Sequence, residues 1–221
     1  IDSSVDKFTQ RVGHCMINNV ELSIGGSRID KQYGVWLELW DQLTRSNDSD
    51  AAMTMLLNGH ATSTTGGQLF VPLQFFCNRN PGLALPLIAL QYNRIEIKFD
   101  LKNINKLFTV LETDSSLTFH RKRIKPGAKS HTTLANFLIN STMVNTNNNT
   151  RSLNFLDIKP YVEGNYLFLD NDERKRFSKN SHNYLIEQVK RVNIIGVKST
   201  SKHSIEFDQS CKYIAWIGKR S

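Results

Sequence analysis

Between Arg94 and Leu101 the apolar residues Ile95, Ile97, Phe99 and Leu101 alternate with the charged residues Arg94, Glu96, Lys98 and Asp100. A period of two fits a strand with one face buried and the other in water. Val20, Leu22 and Ile24 alternate with Asn19, Glu21 and Ser23 in the same way, so a strand is expected from Arg11 to Ile24. Gly25-Gly26 follows as a turn, because glycine accepts positive φ without a Cβ clash.

The period changes in other places. Ile29, Tyr33, Trp36, Leu37, Trp40 and Leu43 follow three- and four-residue spacing, which predicts a helix over Asp30 to Thr44 with Asp30 as N-cap. A short helix is expected from Ala51 to Leu57, ended by Asn58-Gly59. Leu69 to Phe76 is aromatic and β-branched enough for a strand, with Pro72 near its start or where no ladder donor is needed. Asn80-Pro81-Gly82 turns the chain into a compact apolar link, Leu83 to Tyr92. Asp170 to Phe177 places acids before bases, the order a helix dipole prefers, and reads as a capped helical turn. Further strands are expected to end at Tyr166 to Leu169 and to run over Tyr184 to Val192 and Ser204 to Trp216. Thr62 to Gly67 and most of the span from Lys102 to Asn154 read as loop, with some strand near Leu134 to Ile139. Short strands, large insertions and few helices predict an all-β Greek-key sandwich, a jelly roll.

Composition narrows the function. At 39% hydrophobic, with 12 Phe and 3 Trp in 221 residues, the chain can build a substantial core. No apolar run approaches the ~18 residues that a membrane-spanning helix needs. Cys15, Cys77 and Cys211 are distant and odd in number, which fits reduced thiols in a cytoplasm-like compartment and three small core residues. The opening Ile-Asp-Ser-Ser and the closing Gly-Lys-Arg-Ser both read as cuts in a longer chain.

Reactive motifs are missing. The sequence has no phosphate-binding loop, dinucleotide fingerprint, zinc-protease helix or nucleophile elbow. Neither catalytic residues nor a cofactor or metal site are expected. The net charge of +8 is densest at His120 to Lys125 and continues to Lys129 and His131. Arg121, Lys122, Arg123, Lys125 and Lys129 are expected on an exposed basic loop, either merely solvated or binding anions. Asp170, Asp172 and Glu173 are read as helix-capping acids, and three Asn-X-Ser/Thr matches as chance occurrences in polar loops.

One segment is more specific. Gln68 to Tyr92, QLFVPLQFFCNRNPGLALPLIALQY, followed by the Ile95-Glu96-Ile97-Lys98 strand, resembles the signature of major capsid proteins of large nucleocytoplasmic DNA viruses, the algal and giant-virus type. Val20 to Tyr33 with Trp36 and Trp40, Tyr166 to Phe177 with His182 to Gln188, and Ile205 to Trp216 resemble further family segments in the same order. Val162-Glu163-Gly164-Asn165 and Asp208-Gln209-Ser210 depart from it.

The resemblance implies two jelly rolls in tandem and a homotrimeric, pseudo-hexagonal capsomer of an icosahedral virion assembled in host cytoplasm. Residues 1–178 would be the first jelly roll without its opening strands, and 183–221 the beginning of the second. Implied partners are further copies of the chain, neighbouring capsomers and minor capsid proteins. An inner viral membrane would lie nearby without being spanned.

The resemblance puts the basic loop on the outer surface, where host-surface glycans are its candidate partner and direct DNA binding is not expected. Pro81, Gly82, Leu83, Leu85, Pro86, Leu87 and Ile88 are the candidate packing and assembly segment, an ordinary intradomain link being the alternative. Two other functions stay open: a capsid-like assembly scaffold of the same fold, and a basic nucleic-acid-binding β protein.

Overall fold

The computed structural model describes residues 6–8, 11–58, 68–103, 106–112, 122–124, 159–194, 200 and 202–218. The chain separates into two compact units, 1–188 and 189–221.

In the first unit the element order is β1 (Asp6–Phe8), α1 (Val12–Met16), β2 (Ile17–Ile24), β3 (Ser27–Tyr33), α2 (Gly34–Thr44), α3 (Asp50–Asn58), α4 (Phe76–Arg79), β4 (Ile95–Leu101), β5 (Phe108–Glu112), β6 (Lys122–Ile124) and α5 (Asn171–Lys179). Among the described residues two antiparallel three-stranded sheets form, in the orders β3-β2-β4 and β1-β5-β6.

The β2–β3 hairpin closes through Gly25 and Gly26, whose φ angles of 58° and 80° are open to glycine at little cost. β4 joins the other side of β2, with Leu22 opposite Ile97 and Glu21 opposite Lys98. Ile17, Val20 and Leu22 from this sheet, Leu37 from α2, and Phe75 and Phe76 form the buried core. Gly34 starts α2 where a Cβ would stand 2.3 Å from the carbonyl oxygens of His14 and Ile17. Only glycine lets α2 leave β3 that close to the α1–β2 junction.

Several expectations need correction. The strand read from Arg11 begins only at Ile17, because Val12–Met16 winds into α1 first. The helix read from Asp30 begins at Gly34, and Ser27–Tyr33 is a strand. The reason is chemical: β3 turns Asp30 and Gln32 inward, so its buried face is polar. Asp30 is therefore no N-cap; its carboxylate accepts from the Lys31 amide and the Gln32 side chain, both at 2.8 Å.

Residues 68–74, 159–169 and 180–194 carry neither helix nor strand, and Phe76 opens a helical turn instead of closing a strand. A strand needs a ladder partner as well as a suitable local sequence. Lys122 and Arg123 belong to β6, paired with Glu112 and Leu111, and not to a loop. The expectations at 62–67, 134–139 and 151–158 lie outside the described residues, as do Gly59, Arg121, Lys125 and Lys129.

Other expectations agree. Ile95–Leu101 is a strand, and α3 covers Ala51 to Leu57. Asp170 caps α5 in a reciprocal capping box: the Glu173 amide donates to Asp170 Oδ1 at 2.8 Å and the Asp170 amide to the Glu173 carboxylate.

The second unit has no helix or strand among its described residues. Lys190 Nζ donates to the Glu206 carbonyl at 3.0 Å and the Asp208 carboxylate at 2.7 Å. Cys211, expected in a core, is exposed, as are Phe207 and Trp216.

Candidate assembly surface

The segment from Gln68 to Asn93 is fastened mostly by side chains. Its deepest residues, Phe75 and Phe76, are buried against the β2–β3–β4 sheet, with Val71, Leu73 and Cys77 half-buried beside them. Burial pushes the Cys77 thiol up, away from thiolate chemistry. The Gln74 carbonyl accepts two bonds, from Gln32 Nε2 at 2.7 Å and Arg79 Nε at 2.9 Å.

The Asn80 side chain then accepts from the Gly82 amide at 2.9 Å, starting a single 3₁₀ turn over Pro81–Leu83. A second turn follows at Pro86, whose carbonyl accepts from Ala89 at 2.9 Å and Leu90 at 3.1 Å. The seven proposed residues therefore split by role. Leu83 and Leu85 pack on the core, Pro86 and Ile88 are half-buried, and Pro81, Gly82 and Leu87 are exposed, Leu87 by 47%. Tyr92, at the end of the link, is 91% exposed.

Arg79 was not singled out by sequence, yet it is the hub of this surface. Its guanidinium lies 4.4 Å from the Trp40 ring centroid and pairs with Glu187 at 2.7 Å. That ion pair ties down residues 182–188, a strap that also anchors through Tyr184 Oη to the Ala84 carbonyl at 3.2 Å. Gln188 Nε2 donates to the Ile29 carbonyl of β3. Tyr184 and Ile186 point into the core, while Leu185 between them is 93% exposed. The strand expected over Tyr184 to Val192 is thus absent, although burial alternates at Tyr184, Leu185 and Ile186.

An open apolar groove runs along the same face. Ile95, Ile97, Phe99 and Leu101 of β4 line it, together with residues 161–169. Phe168 is 95% exposed there, and Tyr166 and Leu167 are also exposed. The groove is mostly apolar and partly open, which suits packing another surface.

A second cluster joins α1 to α2. Arg11 has φ 54°, a left-handed conformation that costs about 1 kcal/mol for a residue with a side chain. Its guanidinium bonds Glu38 at 2.9 Å and the buried Asp41 carboxylate, which also receives Arg45 at 3.3 Å. Arg45 reaches Asp50 of α3 at 2.7 Å. His14 is buried, its Nδ1 lying 2.8 Å from Glu38 Oε2. Burial holds the His14 pKa below its ordinary value, outweighing the raising effect of Glu38. Facing a carboxylate, which only accepts, Nδ1 carries the proton and donates it to Glu38.

Among the described residues no group of three or more His, Cys, Asp or Glu side chains is arranged to hold a metal ion. No helix there is long and apolar enough to cross a membrane.

A family model described as "Major capsid protein N-terminus" matches residues 2–170. The chain belongs to the major capsid protein family. Capsid protein 1 of Acanthamoeba polyphaga mimivirus is 30% identical over 230 residues, covering 96% of this chain and 33% of that protein. The major capsid protein of Pyramimonas orientalis virus is 34% identical over 223 residues, covering 97% of this chain and 45% of that one.

Among solved structures, the chain is similar to a quasi-atomic model of the PBCV-1 virus capsid, with TM-score 0.51 and 29% identity over 82% of this chain and 36% of that one. A PBCV-1 crystal structure fitted into a reconstruction of the virophage Sputnik gives TM-score 0.52 and 28% identity over 84% of this chain and 37% of that one. The chain thus spans a third to under half the length of these relatives. The jelly-roll capsid fold expected from the Gln68 to Tyr92 segment is the fold of this family, and the antiparallel sheets with few helices agree with an all-β class.

Proposed function

We propose that this chain is part of a structural, non-enzymatic subunit of an icosahedral virion, built as a double jelly roll and assembled as trimeric pseudo-hexagonal capsomers. The observation that carries the proposal is the family match over residues 2–170 with relatives that are themselves capsid proteins. Residues 1–178 are assigned to the first jelly roll and 183–221 to the opening of the second, with 182–188 also serving as the strap described above. Its partners are further copies of itself, neighbouring capsomers and minor capsid proteins, in a shell assembled in the host cytoplasm with a membrane inside it.

Within this reading Pro81 to Ile88 is the assembly segment. Leu83 and Leu85 root it in the core, and Leu87 faces outward for a neighbouring subunit. Leu87→Asp in the full-length protein separates the roles, because it leaves the rooted residues alone. Light scattering is expected to show the trimer mass lost while the melting temperature of the subunit holds. An unchanged trimer mass removes this segment from the interface.

The basic residues Arg121, Lys122, Arg123, Lys125 and Lys129 are assigned to acidic glycans at the host surface. Replacing all five with Gln is expected to weaken particle attachment most at low salt, where screening is least. Unchanged attachment at low salt overturns that assignment.

A further inference from the structure

We propose that the outer edge of β4 is a self-complementary docking edge that pairs antiparallel with the β4 edge of a second copy. The inference goes beyond the capsomer proposal and rests on the pattern of charge along one strand.

β4 lies at the end of the order β3-β2-β4, so its far side meets no strand among the described residues. Which backbone groups face outward follows from two bonds. The Arg94 carbonyl accepts from Gly25 at 2.9 Å, and the Lys102 amide donates to Met16 at 2.8 Å. Even-numbered residues therefore direct their backbone toward β2. By the alternation of an antiparallel ladder, Ile95, Ile97, Phe99 and Leu101 direct theirs to the open edge. The β2–β4 register shift between Ile17 and Asn19 adds its extra residue to β2, so this alternation holds along the whole of β4.

Edge strands are usually protected by charge, lysine above all, so that copies repel. β4 carries the opposite device. Its polar face reads Arg94, Glu96, Lys98, Asp100, alternating in sign. A second β4 laid antiparallel with Ile97 opposite its own copy sets Arg94 against Asp100 and Glu96 against Lys98, each pair occurring twice.

The same register sets Ile95 against Phe99 on the apolar face, where Phe99 is 38% exposed. It also brings odd residues opposite odd residues, so the outward amides and carbonyls meet as hydrogen-bonded pairs. Centring the contact on Lys98 instead places Lys98 against Lys98 and Glu96 against Asp100, which like charges disfavour. Centring it on Phe99 requires Lys102, which lies beyond the strand and is half-buried, whereas Arg94 is 86% exposed. The favoured register is the one centred on Ile97.

Such a contact is isologous and two-fold. Its two-fold symmetry differs from the three-fold symmetry proposed for the capsomer, so it suits a contact between neighbouring capsomers.

Sedimentation velocity of the full-length protein at low salt tests the pairing. A concentration-dependent association of the trimer is expected, beginning with a doubling of its mass and continuing because each trimer carries three such edges, and weakening as salt is raised. Glu96→Lys and Lys98→Glu, made singly, each set like charges opposite at both symmetry-related sites and are expected to weaken the doubling about tenfold. The double variant Glu96→Lys/Lys98→Glu restores opposite signs and is expected to recover it to within about threefold. Because the double variant carries both substitutions, its recovery shows that neither one unfolds the strand. If each single variant doubles as the parent does, or if the double variant stays as weak as the singles, the edge pairing is wrong. The trimer mass, which tests the capsomer proposal, is expected to be the same in all of them.

Discussion

Two regions with similar sequence texture end in different states. The 12–101 region builds a buried core around Phe75, Leu22 and Leu37, although Leu43, Met55 and Tyr92 stay exposed. The 159–188 region, equally rich in Tyr, Leu and Phe, leaves Tyr166, Leu167, Phe168 and Leu185 in water. The first has a hairpin of two strands adjacent in sequence, and β2 offers its other side to β4. The second is held by point contacts, chiefly Arg79–Glu187, Tyr184–Ala84 and Gln188–Ile29. Apolar content alone therefore does not bury a segment; a partner surface within reach does.

Substitutions in the two regions should separate them sharply. Gly34→Ala is expected to be the most damaging, because its Cβ meets two backbone carbonyls that cannot both move aside. A loss above about 4 kcal/mol is expected in denaturant titration, at the exceptional end for a single residue. Phe75→Ala should follow at about 3–5 kcal/mol, the usual loss for a buried phenyl ring. A Phe75→Ala protein as stable as the parent would end the claim that this core organises the first unit.

Arg79→Ala is expected to cost about 1–2 kcal/mol, combining a lost cation–π contact, a backbone bond and an ion pair to the part-exposed Glu187. It should also speed proteolytic cleavage within 182–188 more than elsewhere. Uniform cleavage rates would mean that the strap is held by Tyr184 and Ile186 alone.

The α1–α2 cluster adds a pH axis. His14 has a folded-state pKa below its ordinary 6.5, so the unfolded chain takes up the proton more readily. Stability from this group is present above pH 6.5 and falls as the pH drops through and below that value. His14→Gln keeps a neutral polar side chain, and its melting temperature should fall less than the parent's between neutral and mildly acidic pH. Identical slopes would show that the imidazole proton is irrelevant to the junction. Phe168→Ala is expected to change the stability of the isolated subunit by under about 0.5 kcal/mol, as exposed sites do. A larger loss would show that the 159–169 segment is covered in solution.

The sequence made β4, the Gly25-Gly26 turn, α3 and the α5 capping box legible because each is specified within a few residues. β3 was misread because its inward residues, Asp30 and Gln32, are polar, and burial of hydrogen-bonded polar groups leaves no hydrophobic periodicity. The strands read at Leu69 and Tyr184 failed for another reason: pairing depends on a partner that no local window contains. At the assembly surface, Leu83 and Leu85 were legible as apolar residues framed by Pro81 and Pro86. Arg79 was not, since its neighbours Trp40, Gln74 and Glu187 meet it only in three dimensions.

The Gln74 carbonyl, shared by Gln32 and Arg79, has a consequence for the order of folding. The β2–β3 hairpin closes through two residues and needs nothing from residue 74. Once closed, it presents the Gln32 amide as a single fixed keyhole, set between Val20 across the ladder and the Asp30 carboxylate. Residues 68–79 then have one seat: any slip puts another carbonyl in the keyhole and takes Arg79 off Trp40. The hairpin acts as a gauge against which a ladderless segment is measured, and alignment that neighbouring strands usually supply is set here by one buried side chain.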